Sequence, residues 1–329
     1  MDVSIIIVNY KSPELILDCL NSLFLETKHI AFEIIIVDNH SEDNSKQLIL
    51  AKYPDVVWLQ MSYNAGFARA NNSGIKIAKG KYCLLLNSDT LILDNAIPEL
   101  VKRLDQHTDI AAASVQLLNS DNTFQNAGNF FVKGGLNILL TLPVLNIIAK
   151  KIGTLLKIKK PSLQTSEDKI NDVDWISGAF MFVRKSVLEK TGLMDEDFFL
   201  FSEEIEWCSR LKKAGKIVVY TDVKTIHLEG GTTKMLEKKE VSSYYEYWTT
   251  KGLQLMLSTL LRIRKQYNIA WMLLILFFFI IEIPVLFITA LFYEQYTLQQ
   301  AKKYLLNVVS LLKYIPKIIS NNPYFYKIM

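Results

Sequence analysis

The chain has 329 residues, half of them hydrophobic and 11% aromatic. That excludes intrinsic disorder and leaves room for one large domain, or one domain with an appendage. A formal net charge of +4 over this length excludes the basic footprint of a nucleic-acid binder and fits cations gathered at a membrane face or a phosphate site. Cys19, Cys83 and Cys208 form no CxxC pair and no zinc spacing, so they read as small buried hydrophobes in a reducing compartment.

The first residues carry neither a basic stretch nor an apolar run of signal length, so the N-terminal part is expected to stay in the cytoplasm. Val3 to Asn9 is a short β-branched run typical of a buried parallel strand. Pro13 to Leu25 has helical spacing, with Ser12 as cap and Pro13 in the first turn. Glu33 to Val37 predicts a second strand, Ser45 to Lys52 a helix, Val56 to Gln60 a third strand, Gly66 to Ala78 a helix and Tyr82 to Leu86 a fourth strand. This alternation predicts an α/β fold with a mostly parallel sheet, whose ligands bind at the carboxyl ends of the strands. Residues 119 to 174 read as an insertion over the active site, with an apolar helical stretch from Leu136 to Ile148 and a basic run from Lys150 to Lys160. Trp175 to Val183 resumes a strand, Lys185 to Thr191 and Glu203 to Ala214 are helical, and Lys216 to Tyr220 is a strand joined by a loop to Ile226-His227.

The polar residues behind the strands are the chemical candidates. Asn9-Tyr10 follows the first and Asp38-Asn39 the second; a carboxylate there suits a base N–H or a ribose hydroxyl, and equally suits a turn. Asn87-Ser88-Asp89 follows the fourth, where Asp89 can hold Mg²⁺ or Mn²⁺ against a diphosphate or close a turn. Asn64, Gly66, Phe67 and Arg69 lie in a loop that opens a helix and can meet phosphate oxygens. Glu203, Glu204 and Glu206 sit at a helix start, where the dipole favours acids whatever their role. His227 is followed by Gly230-Gly231, which permits close approach of a ligand.

Taken in order, these segments resemble the family 2 glycosyltransferases, and within them a bacterial rhamnosyltransferase-like group. The resemblance covers residues 3 to 255 and rests on Val3–Tyr10, Ile36–Ser41, Asn64–Ala68, Leu86–Thr90, Trp175–Ala179, Phe199–Glu204 and Ile226-His227. It implies a GT-A fold and an inverting, metal-dependent transfer from a nucleoside-diphosphate sugar, dTDP-rhamnose or a UDP-sugar, to a hydroxyl of a glycan. Asp38 would contact the nucleotide, Asp89 and His227 the metal, and Glu204 would be the base where the family has Asp, with Glu203 on the acceptor side. Asn87 stands where the family's first metal-motif acid stands. Trp175 would lie beside a sugar, with Gly178 close to the donor. A processive polysaccharide synthase fits less well, because the chain lacks an Arg-Trp pair. A catalytically dead nucleotide-sugar-binding protein is disfavoured by the retention of Asp89, Glu204 and His227.

After residue 243 the character changes. Gln266 to Ile281 and Val285 to Tyr293 carry no charge, interrupted by Glu282 and Pro284. Together they approach the about 20 residues that span a bilayer. Three readings stand: a tilted span with Glu282 near its middle, a re-entrant hairpin turning at Glu282-Ile283-Pro284, or a buried helix pair. Basic residues on both flanks favour the re-entrant or monotopic form. The expected organisation is a catalytic domain over 1–243 (nucleotide-sugar half 1–118, insertion 119–174, acceptor half 175–243) and a membrane-associated region over 244–329. The expected location is the cytoplasmic face of a bacterial cell membrane, with a lipid-linked glycan as acceptor.

Overall fold

The computed structural model describes residues 1–131, 142–156, 168–228, 247–293 and 296–329. Val3–Asn9 (β1), Phe32–Asp38 (β2), Val57–Gln60 (β3) and Tyr82–Leu86 (β4) form within a residue of their expected ends. They lie side by side and parallel in the order β3-β2-β1-β4. Pro13–Glu26 (α1), Ser45–Lys52 (α2) and Gly66–Ile77 (α3) connect them. Val3, Ile5, Ile6 and Ile7 are fully buried, as a strand covered on both faces requires. Gly74 lets α3 close onto β1: a Cβ there would sit 2.5 Å from Ile6 Cγ2. The Ser12 side chain makes no cap bond to α1, contrary to expectation, because its hydroxyl turns to Asn9 Oδ1 and Ser88 Oγ.

Beyond β4 the structure departs further from the pattern. Thr90–Ile92 (β5), Ala96–Gln106 (α4), Ile110–Leu118 (β6) and Gly128–Asn129 (β7) were not apparent. After Ile170–Asp172 (β8), the single strand expected over Trp175–Val183 is two, Trp175–Ile176 (β9) and Phe180–Arg184 (β10), broken by a turn at Ser177-Gly178-Ala179. The expected loop before His227 is absent: Lys216–His227 (β11) is one 12-residue strand, with a register shift against β6 between Tyr220 and Lys224. The polar residues Asp222 and Lys224 point outward while Val223 and Thr225 are buried. β10 runs antiparallel between β4 and β6, and β5 and β8 run antiparallel to β11. The other strands share one direction, so the mixed sheet is mostly parallel.

The chain divides into two compact units. One holds the sheet and comprises 1–130, 162–196 and 207–242. The other gathers 131–161, 197–206 and 243–329, so part of the insertion and the acidic helix start group with the C-terminal helices rather than with the sheet. In this second unit the helices Thr250–Gln266, Ile269–Phe292 and Leu298–Leu312 pack around Met256, Leu260, Ile275, Phe279, Tyr304 and Val308. Ile269–Phe292 continues through Pro284, so the hairpin expected at Glu282-Ile283-Pro284 does not form. Glu282 is fully buried, and its carboxylate accepts the backbone N–H groups of Val144 and Leu145 at the start of the helix Leu145–Leu155. A carboxylate at a helix N-terminus meets unpaired donors and a favourable dipole. Residues 136–141 and 157–160 of the expected apolar and basic stretches, Gly230 and Gly231, and 244–246 lie outside the described residues.

Candidate active site

The order β2-β1-β4 aligns the carboxyl ends of three strands, and the chain turns sharply there: Lys11 and His40 take left-handed backbone angles with φ of 54° and 65°. Asp38 is buried beneath this edge. Its Oδ1 accepts from Asn9 Nδ2 and Ser41 Oγ, both at 2.6 Å. Its Oδ2 accepts from Ser41 N at 3.1 Å and Gln60 Nε2 at 2.5 Å. Two donors on each oxygen fill the carboxylate's capacity. Gln60 is the exposed partner, so a nucleobase N–H reaching Asp38 would have to take its place.

Asn39 fixes the adjoining loop. Its Oδ1 accepts from Ala65 N at 2.8 Å, and its Nδ2 donates to Asn64 Oδ1 at 3.1 Å. Asn64 Oδ1 also accepts from Gly66 N, and Gly66 has φ of 75°. Phe67 lies against Gly178, where a Cβ would stand 3.3 Å from Phe67 Cζ. Arg69, expected at phosphate oxygens, donates instead to Glu196 O and Tyr63 Oη, at 2.8 and 2.9 Å. Tyr10 is half-buried, with Lys11 Nζ 5.7 Å from its ring centroid. Trp175 is half-buried in the small β7–β9 sheet, opposite Asn129.

Strand register brings Asp89 and His227 together although they are far apart in sequence. Thr90 pairs with His227 across β5 and β11, and Leu228 N donates to Asp89 O. Asp89 Oδ1 lies 3.3 Å from His227 Nε2, and Asn87 Nδ2 lies 3.2 Å from the same nitrogen. Ser12 Oγ lies 3.4 Å from Ser88 Oγ, joining the ends of β1 and β4.

A residue that carried no signal in the sequence sets the imidazole. Gln125 Nε2 donates to His227 O at 2.6 Å and to Asn119 Oδ1 at 2.5 Å. Both partners are acceptors, so its Oε1 is the atom 2.9 Å from His227 Nδ1 and takes that proton. His227 Nε2 is then a lone pair beside a carboxylate. One imidazole nitrogen and one carboxylate oxygen are donors that a divalent cation could use, were one bound. Among the described residues no group of three or more His, Cys, Asp or Glu side chains is placed to hold a metal ion.

The acidic helix start belongs to the second unit. Phe201 and Ser202 both adopt left-handed backbone angles, φ 72° and 67°, immediately before Glu203–Leu211. Glu203 is buried with no hydrogen bond to Oε2, and burial together with the neighbouring Glu204 charge pushes its carboxyl well above the usual range. Glu204 is half-exposed at its surface; burial also raises its pKa, opposed by the Arg262 guanidinium. Both carboxyls are thus raised, Glu203 with no opposing side-chain cation and Glu204 against the Arg262 guanidinium.

A mostly parallel sheet with a carboxylate–imidazole pair at the carboxyl ends of its strands is of the GT-A-like class of glycosyltransferase folds. Residues 4–192 match the family model "Glycosyl transferase family 2", more than half the chain, and the protein belongs to that family. It is 30% identical over 216 residues to the low-salt glycan biosynthesis hexosyltransferase Agl10 of Haloferax volcanii, a match covering 64% of this chain and 62% of that protein. The chain thus spans less than two thirds of this relative's length. Its fold is similar to that of S. aureus TarS 1–349 in complex with UDP, with TM-score 0.52, 17% identity, and 80% and 66% of the two chains covered. It is likewise similar to the mannosyltransferase PcManGT from Pyrobaculum calidifontis in complex with GDP-Man and Mn²⁺, with TM-score 0.51, 14% identity, and 97% and 75% covered.

Proposed function

We propose that the protein is an inverting glycosyltransferase of glycan synthesis that moves a hexosyl group from a nucleoside-diphosphate sugar to a hydroxyl of a glycan. The observation that carries this reading is the Asp89–His227 pair, held in its metal-binding tautomer by Gln125 at the carboxyl edge of the sheet. Asp89 and His227 would hold a divalent ion, Mg²⁺ or Mn²⁺, that neutralises charge on the leaving diphosphate. Asn9, Asp38 and the Asn39–Asn64–Gly66 loop form the nucleotide end of the site, and Glu204 accepts the acceptor's proton. The donor is dTDP-rhamnose or a UDP-sugar. The acceptor is lipid-linked, because an enzyme and substrate that share a membrane gain effective concentration. Residues 244–329 attach the enzyme to the cytoplasmic face of a bacterial membrane; the apolar helix Ile269–Phe292, with mean hydropathy 2.7, supports this. The test is turnover of a nucleotide-sugar panel by the purified protein, with Mn²⁺ and with chelator. Turnover of one donor that disappears with chelator and in Asp89→Ala is expected. Turnover unaffected by both would overturn the metal site, and none on any donor would overturn the activity.

A further inference from the structure

The helix Ile269–Phe292 has 24 residues and is about 36 Å long, enough to cross a bilayer. Its surroundings argue against crossing. Met272, Ile275, Leu276, Phe279, Glu282 and Leu286 are buried along one face, against the helices Thr250–Gln266 and Leu298–Leu312. A helix that spans would carry these neighbours into the hydrocarbon. Thr250–Gln266 bears Lys251, Arg262, Arg264 and Lys265, and Leu298–Leu312 bears Lys302 and Lys303. Each cation taken to the bilayer centre disfavours insertion by about a hundredfold. The six named here lie towards the ends of their helices, where each costs less, yet a crossing bundle would have to accommodate all of them.

Among the described residues the opposite face meets no packing partner and is apolar from Leu273 through Phe277 and Ile280 to Ile288 and Leu291, all exposed. On Leu298–Leu312 the exposed Leu306 and Val309 alternate with Lys302 and, just beyond the helix, Lys313 at three- and four-residue steps. Apolar side chains interleaved with lysines match the boundary between acyl chains and anionic headgroups.

We infer that Ile269–Phe292 lies in the plane of one leaflet of an anionic membrane, its Leu273–Leu291 face among the acyl chains and the lysines of the next helix at the headgroups. This rests on the membrane attachment proposed above and replaces a crossing helix with a monotopic one. Both ends of the helix then stay on the same side of the membrane.

The test uses full-length protein and vesicles of phosphatidylcholine with or without phosphatidylglycerol. Cysteine is introduced singly at Ile269, Phe277 or Tyr293; Cys19, Cys83 and Cys208 are buried and stay silent to the label. An impermeant maleimide added outside should react with Ile269→Cys and Tyr293→Cys equally, and with Phe277→Cys about tenfold or more slowly. Protection of either end until the vesicles are lysed would overturn the in-plane arrangement in favour of a span. Failure to float with either vesicle type would overturn membrane attachment itself. The surface variant Ile280→Asp, checked for an unchanged melting curve, should lower vesicle partition by about a hundredfold. Unchanged partition would overturn the assignment of this face.

Discussion

Replacing Gln125 by Leu isolates the control of the His227 ring. The substitution removes the acceptor 2.9 Å from Nδ1 and the donor 2.6 Å from the His227 carbonyl. It leaves the proposed ligands Asp89 and His227 in place. The freed imidazole can then carry its proton on Nε2, the nitrogen that faces Asp89, and so lose its lone pair there. Partners of this kind typically change metal affinity by about 10–100-fold, or about 1.4–2.7 kcal/mol. The assay is Mn²⁺ titration followed by electron paramagnetic resonance, in the presence of a nucleoside diphosphate and at constant pH. Gln125→Glu keeps an acceptor for Nδ1 and loses only the donors, so it should retain more affinity than Gln125→Leu. Thermal melting of each variant separates loss of metal from loss of fold. Equal Mn²⁺ affinity in wild type and Gln125→Leu, with folding intact, would refute the idea that this amide sets the tautomer.

Glu204→Gln should keep donor binding and lose about 10²–10⁴ in turnover, the usual contribution of a general base. A near-normal rate, with collapse in Glu203→Gln instead, would move the base one residue back. Since burial raises the Glu204 pKa and Arg262 opposes that rise, Arg262→Gln should raise it further. Activity needs the ionised carboxylate, so the acidic limb of the kcat–pH profile should move to higher pH; an unmoved limb would disconnect Arg262 from the base. Glu282→Ala should destabilise the second unit by about 1–3 kcal/mol, because the Val144 and Leu145 N–H groups lose their buried acceptor. Denaturant melts within experimental error of wild type would contradict that cost.

Of the first four strands β1, β2 and β4 were legible because each is a largely apolar run buried in the sheet, and the edge strand β3 because Val57-Trp58-Leu59 is a short apolar run bounded by turn residues. β6 was not, since after Ile110 the run Ala111-Ala112-Ala113-Ser114 lacks the branched side chains that mark a strand. β11 was cut short in the reading because Asp222 and Lys224 resemble a loop until their alternation with buried Val223 and Thr225 is known. The individual site residues were visible as polar punctuation after strands. That Asp89 and His227 belong together came only from the family resemblance; the pairing of Thr90 with His227 is what sets Asp89 beside the ring. Gln125 gave no signal, because an amide in a polar loop is ordinary until the imidazole arrives from over a hundred residues away. Arg69 looked like a phosphate ligand, and its engagement by Glu196 and Tyr63 is a tertiary fact.

The bond from Leu145 N to Glu282 spans 137 residues of sequence. It has a consequence for synthesis on the ribosome. β1 to β4 and their helices need nothing beyond residue 86 to pair in order, so that half of the sheet can assemble while most of the chain is still being made. The helix Leu145–Leu155 is translated long before its acceptor exists, and the bridge between Phe198 and Tyr326 needs a residue almost at the end. Contacts of such long range form late and slowly. The second unit therefore packs only after its helices over 250–312 have been made, well after the first four strands have paired.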